Sequence, residues 1–72
     1  MNRIEIITRR DRRDDCLPGD FVTSARVPEW KHATASQEFR PEGGNRSLPA
    51  WRFERVTAPF YGGFVKGWIR RA

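Results

Sequence analysis

The chain has 72 residues, one cysteine, one histidine and a formal net charge of +5. A chain this short forms one small domain and buries only about 60% of its unfolded surface. The lone cysteine excludes an internal disulfide, and no apolar run approaches the roughly 20 residues that a membrane-spanning helix requires. We therefore expect a single domain over residues 1–72, in the cytoplasm and without a membrane partner.

The sequence lacks the residues that enzymatic or metal-dependent functions usually need. A zinc site usually combines four Cys, His or acidic ligands at recurring spacings, whereas this sequence has Cys16 and His32 alone. Asp14 and Asp15 directly precede the cysteine, and such anions disfavour a nucleophilic thiolate. Neither Gly-Gly pair has the flanking pattern of a phosphate-binding loop. We predict a protein that is not an enzyme, with no catalytic residue, metal, cofactor or small-molecule substrate.

The first part of the chain predicts two short strands separated by a charged loop. Residues 2–8 contain three isoleucines in a β-branched pattern that favours a strand. Residues 9–15 are polar without apolar periodicity and are predicted to form an exposed loop. A Pro-Gly turn then leads into a second strand over residues 21–27. The alternative function for the loop is a secondary basic segment that contacts phosphate through Arg9, Arg10, Arg12 and Arg13.

The middle of the chain predicts a short helix, a loop and a third strand. Pro28 ends the second strand and opens a weakly marked helix that reaches about Phe39. Residues 40–47 are rich in Pro, Gly, Asn and Ser and predict an exposed loop. Residues 50–57 alternate in the manner of a strand, which Pro59 is expected to interrupt.

The final segment, residues 60–71, has two interpretations. Phe60, Phe64 and Trp68 recur at spacings of four, which is typical of one helix face. The alternative is a strand in which Phe64 and Trp68 share a side. Three glycines oppose the helix by about 1 kcal/mol each, but the spacing leads us to favour it. The predicted fold class is therefore α+β: a small single domain with a short antiparallel sheet and one or two short helices.

The last third of the chain is both basic and aromatic. Residues 49–72 hold five cations against one acid, and six of the nine aromatic residues. Cations among flat rings suit either nucleic acid or an acidic protein surface. The competing interpretation is that these rings form the core, since large aliphatic residues are few. The predicted partner-binding residues are Trp51, Arg52, Phe53, Arg55, Tyr61, Lys66, Trp68, Arg70 and Arg71.

In its size, its positive charge and its Arg/aromatic segment from Lys66 to Arg71, the chain resembles small phage-encoded regulators that bind host RNA polymerase. The resemblance implies a transcription regulator that acts by stoichiometric binding in the host cytoplasm. Its partner would be an acidic, grooved surface of the polymerase or its factors, from which a native partner is displaced. Two alternatives stay open: direct nucleic-acid binding by the C-terminal third, and a structural or assembly role in a phage particle.

Overall fold

The computed structural model describes residues 8–71, whose strands form one five-stranded mixed sheet. The order across the sheet is β1-β2-β5-β4-β3, with β1 parallel to β2 and all other neighbours antiparallel. The β4–β5 hairpin therefore lies at the centre, and the short strands flank it. The strands are β1 (Arg9–Arg10), β2 (Phe21–Thr23), β3 (Gln37–Phe39), β4 (Trp51–Phe60) and β5 (Gly63–Arg70).

The predicted α+β class is wrong, because residues 8–71 contain no α-helix. Their helical elements are 3₁₀ turns of three residues each, at Arg13–Asp15, Ser24–Arg26 and Pro28–Trp30. The helix expected from Pro28 to Phe39 ends after its first turn and is followed by β3. Small and polar residues fill the gap between that turn and β3, so a longer helix would have no apolar stripe to bury.

The helix favoured for residues 60–71 is also wrong, because this segment is strand β5. It pairs with β4 continuously from Phe53↔Arg70 to Phe60↔Gly63. The Phe64–Trp68 spacing of four residues fits two strand repeats as well as one helical turn. The spacing therefore could not distinguish the two structures.

Two further boundaries differ from expectation. The second predicted strand, residues 21–27, stops at Thr23 and gives way to a 3₁₀ turn. Strand β4 continues through Pro59 instead of being interrupted there. Within the described pairing, β3 covers β4 only over Trp51–Phe53. Pro59 therefore lies on an uncovered edge, where a proline is tolerated.

The main core cluster lies on one face of the sheet and is mostly aromatic, whereas Phe21 and Ala58 are buried on the opposite face. Val22, Phe53 and Trp68 face it from the strands, and Cys16 and Trp30 cover it from the connecting segments. The Trp30 ring centroid lies 5.1 Å from that of Trp68 and 5.5 Å from that of Phe53. Such tilted and edge contacts are favourable geometries for aromatic pairs. Aromatic rings thus supply the apolar area that the few aliphatic residues cannot.

The two segments predicted as loops differ in structure. Residues 9–15 contain β1 and the turn Arg13–Asp15, whereas residues 40–47 contain no strand and are almost entirely exposed. The strand predicted over residues 2–8 falls almost wholly outside the described residues. No helix within residues 8–71 is long and apolar enough to cross a membrane.

Candidate functional site: an aromatic hairpin tip beside an arginine cleft

Two rings that the sequence placed in a partner-binding surface are buried. Phe53 and Trp68 have no exposed area, and both pack against Trp30. Trp51 is half-buried, with its ring centroid 6.1 Å from that of Phe39. These three rings belong to the core and its margin. The structure leaves Phe53 and Trp68 unable to touch a partner while the chain is folded.

Two predicted binding arginines are engaged with the same rings. The Arg70 guanidinium lies 3.7 Å from the Trp51 ring centroid, and that of Arg55 lies 5.5 Å from the Trp68 ring. Each also donates a hydrogen bond to a backbone carbonyl of a connecting segment. Cation–π contacts of this kind contribute on the order of 1 kcal/mol. Arg55 and Arg70 therefore hold the covering segments on the core.

The other predicted cations are more accessible. Arg71 forms an ion pair with Glu54 at 2.9 Å, and both side chains are about half exposed. Exposed pairs of this type stabilise the fold by roughly 0–1 kcal/mol, so a partner could take over either group. Arg52 and Lys66 are exposed, and no carboxylate within the described residues pairs with them.

The β4–β5 hairpin closes through a strained two-residue turn. Tyr61 has a φ of 48° and Gly62 a φ of 79°, the two positive values that a type I′ turn requires. Glycine and asparagine suit this geometry. For a residue with a large side chain, the left-handed conformation costs roughly 1–2 kcal/mol. Despite this cost, the Tyr61 ring packs on no core residue and is 93% exposed.

Three rings at this end of the hairpin form what we call the aromatic tip: Phe60, Tyr61 and Phe64. They are 36%, 93% and 76% exposed, respectively. The centroids of the Phe60 and Tyr61 rings are 4.3 Å apart, and the Arg9 guanidinium lies 3.9 Å from the Phe60 ring. Because β2 pairs with β5 only as far as Gly67, the tip projects beyond the flanking strands as a two-stranded ribbon.

The sequence prediction included Tyr61 but missed Phe60 and Phe64. A signal was available, since a Gly-Gly pair between two apolar, β-favouring runs is typical of a tight hairpin. The same glycines count against a helix. In a strand arrangement Gly62 lies in the turn and Gly63 begins β5, and the residues on each side of the turn become the tip.

A basic cleft lies on the edge of the sheet near β1 and β2. Its volume is about 470 Å³. We call it the arginine cleft. Arg9 connects it to the aromatic tip, because this residue lines the cleft and its guanidinium lies on the Phe60 ring. The described residues that line the cleft are Arg9, Arg10, Asp11, Thr23, Ala25 and Arg26.

Asp20 fixes one of these arginines in place. Burial by itself would raise the pKa of the Asp20 carboxyl. Hydrogen bonds from the Leu17 amide at 2.9 Å and from Arg10 Nε at 2.8 Å outweigh burial and hold that pKa below its ordinary value. The hydrogen bond to Asp20, followed by the attraction between the two charges, raises the pKa of Arg10. Arg10 therefore stays charged and oriented. Its hydrogen bond to the Asp20 carboxylate is made by the Nε atom and not by the terminal nitrogens.

The secondary basic segment is divided between two roles. Arg9 and Arg10 line the cleft. Arg12 pairs with the carboxylate two residues later at 3.2 Å, and Arg13 lies 4.6 Å from the Trp30 ring centroid over the core. The four arginines therefore do not act as one basic arm.

Cys16 is a buried member of the core. Burial, with a smaller effect of Asp20, raises the pKa of its thiol to about 11. The thiol is therefore protonated at neutral pH, and thiols in this form are poor nucleophiles. Among the described residues, no group of three or more His, Cys, Asp or Glu side chains is placed to hold a metal ion.

No protein family matches this chain, and neither a curated protein nor a solved structure does.

Proposed function

We propose that this protein is a non-enzymatic regulator that binds a protein partner stoichiometrically through the aromatic tip. The observation that carries the proposal is Tyr61, whose ring is 93% exposed on a backbone with a φ of 48°. Asparagine or glycine would relieve this strain. Strain of this kind tends to lie at binding sites, and the exposed Tyr61 ring is the group that binding would use.

The surroundings of the tip indicate the chemistry of the partner. Tyrosine and arginine are enriched among residues that dominate binding energy, and adjacent rings that fill a desolvated pocket are their usual setting. Here Phe60 and Tyr61 are in contact, Phe64 is exposed on the opposite face of the hairpin, Arg9 lies on the Phe60 ring, and Lys66 is exposed on β5. A groove with an apolar floor and an acidic rim complements this arrangement.

RNA polymerase or one of its factors is the partner that we propose, following the resemblance in size, charge and Arg/aromatic composition. The regulator would insert the tip into an acidic groove and displace a native ligand of that groove. The Tyr61 and Phe64 rings at the end of the hairpin support this mechanism, because both are largely exposed and can enter such a groove.

A capture experiment with matched variants tests this proposal. Immobilised wild-type protein and Tyr61→Asn are incubated with bacterial lysate, with and without nuclease. Leu48→Asn is the control, because Leu48 is another exposed apolar residue in a different part of the chain. Polymerase subunits should be retained after nuclease by wild type and Leu48→Asn, and lost with Tyr61→Asn.

Two results would contradict the proposal. Equal capture by Tyr61→Asn and wild type would show that the tip does not contact the partner. Loss of polymerase upon nuclease treatment would instead favour direct nucleic-acid binding, whose affinity should fall steeply with salt.

A further inference from the structure

We infer that the arginine cleft is a binding site for phosphate groups, adjacent to the surface that contacts the protein partner. Three arginines are among the residues that line it, Arg9, Arg10 and Arg26, and Thr23 is another. Guanidinium groups donate paired hydrogen bonds that match phosphate oxygens, and a threonine hydroxyl can add another. The described lining has the donors that an oxyanion needs.

Two of the three guanidinium groups are held in place before any ligand arrives. Arg10 is oriented by its 2.8 Å bond from Nε to Asp20, which leaves the terminal nitrogens to serve a ligand. Arg9 is held 3.9 Å from the Phe60 ring, a contact with the face of the guanidinium that leaves its in-plane donors available. Prior orientation reduces the entropy lost on binding.

Charge favours a phosphate over a carboxylate. Among the described lining residues, three are arginines and one is an acid, Asp11, which gives these residues a net charge of +2. A terminal phosphate, as in inorganic phosphate or a phosphate monoester, carries close to two negative charges at neutral pH and has three strong acceptor oxygens. A single carboxylate has one charge and two oxygens. The cleft therefore suits phosphate better than the acidic side chains of a protein.

Among the described lining residues, Asp11 is the acid that would repel an anion in the cleft. Its exposed position makes that repulsion weak. Its side chain is 90% exposed, and its Oδ1 atom is 4.0 Å from Arg26 Nη2. A pair that is so long and so exposed contributes little. A phosphate can displace Asp11 from Arg26, after which the carboxylate stays in solvent.

Two sources could supply the phosphate: a free phosphate compound, or the backbone of a nucleic acid. The volume of about 470 Å³ lies within the usual range for small-ligand sites, roughly 300–1,000 Å³. The aromatic tip beside Arg9 could in addition stack a base. Both sources present phosphate oxygens to the arginines, but a backbone phosphodiester carries one negative charge and two non-bridging oxygens, so the experiment must tell the sources apart.

The test is a ligand titration of the ¹⁵N-labelled full chain, in which NMR measures the chemical shifts of the backbone amides. Inorganic phosphate and a short oligothymidine are the two ligands, and acetate at equal ionic strength is the reference anion. Saturable shifts should appear at Arg9, Arg10, Thr23 and Arg26. Arg26→Gln should weaken the affinity about tenfold. Arg46→Gln, which removes an exposed arginine in residues 40–47, should leave it unchanged.

The two ligands separate the sources. Saturation by inorganic phosphate identifies a site for free phosphate compounds. Saturation by oligothymidine alone identifies a site for the phosphate backbone of a nucleic acid. In that case Arg26→Gln should reduce the slope of log affinity against log salt concentration by about 1.

Three results would overturn the inference: no saturable shift with either ligand, acetate binding as well as phosphate, or equal weakening by Arg26→Gln and Arg46→Gln. Equal weakening by the two variants would show that the anion binds through the net charge of the protein and not at a defined site. Tyr61→Asn should leave the phosphate titration unchanged, so the tip and the cleft can fail independently.

Discussion

The two halves of the β4–β5 hairpin contain the same types of residue and use them in opposite ways. In the supported half, residues 51–56 and 67–70, strands β2 and β3 flank the hairpin and Trp30 covers its face. In the projecting half, residues 57–66, the described sheet has no flanking strand. Trp68 is fully buried in the first half, whereas Phe64, four residues earlier on the same side of β5, is 76% exposed in the second.

This difference shows that burial here depends on neighbouring elements and not on residue type. In the supported half, arginine side chains close the core by lying on its rings, as Arg70 does on Trp51. In the projecting half, Arg9 lies on Phe60 in the same way, but the neighbouring rings remain exposed. The supported half therefore stabilises the domain. In the projecting half Ala58 is buried, and the exposed Tyr61 and Phe64 rings are the part available for binding.

The largest expected effect is that of Trp68→Ala in the supported half. Truncating a buried tryptophan typically costs about 3–5 kcal/mol, which approaches the whole stability of a domain of this size. Urea unfolding should show a large loss or the absence of a folded baseline. Phe64→Ala in the projecting half should change the free energy of unfolding by less than about 0.5 kcal/mol. Similar losses for both variants would refute the division of the hairpin.

Gly67→Ala should cost about 1–3 kcal/mol, the usual range for overpacking. A Cβ on Gly67 would lie 2.4 Å from both the Phe21 ring and the Val22 carbonyl oxygen. Gly63 offers a matched control in the projecting half, since the nearest atom to its added Cβ is 3.8 Å away. Thermal or urea unfolding of the two alanine variants checks this, and a Gly63→Ala loss as large as that of Gly67→Ala would contradict it.

Acid should weaken the edge of the supported half through Asp20. Its pKa is lower in the folded chain than in the unfolded chain, so its stabilisation is complete above the unfolded pKa of about 3.9. That stabilisation is lost as the pH falls through the folded pKa. Asp20→Asn should cost about 1 kcal/mol at neutral pH, and the cost should shrink in acid. Urea midpoints at several pH values measure this, and a constant difference between the proteins would argue against it.

The smallest expected effect is a gain in stability. Tyr61→Asn should stabilise the domain by up to about 1 kcal/mol, because asparagine accepts the left-handed conformation more readily. The same variant should lose the protein partner. A variant that folds better and binds worse separates the two roles of this turn, whereas a loss of stability would mean that the Tyr61 ring supports the fold.

Particular residues show why some of this structure could be predicted from the sequence. The alternation of residues 50–57 predicted a strand, and β4 covers most of that range. For residues 60–71 the spacing of the rings suited a helix and a strand equally. The decisive facts were the turn at Tyr61 and Gly62 and the close contact at Gly67. Neither fact can be read from periodicity.

The candidate site was predicted in part. Basic and aromatic composition pointed to the C-terminal third, and Tyr61 lies at the tip found there. The same composition also pointed to Phe53 and Trp68, which are core residues. The arginine cleft brings Arg26 beside Arg9 and Arg10. That arrangement depends on the pairing of β1 with β2, which no local pattern in the sequence indicates.

The sequence by itself determined the positive charge, the scarcity of aliphatic residues and the strand over most of residues 50–57, since these are properties of composition or of a few adjacent residues. Tertiary structure alone decided which rings are buried and which arginines are committed. Those outcomes depend on contacts between distant parts of the chain, such as Arg70 with Trp51 and Trp30 with Trp68. Identical side chains become core or surface according to whether another element covers them.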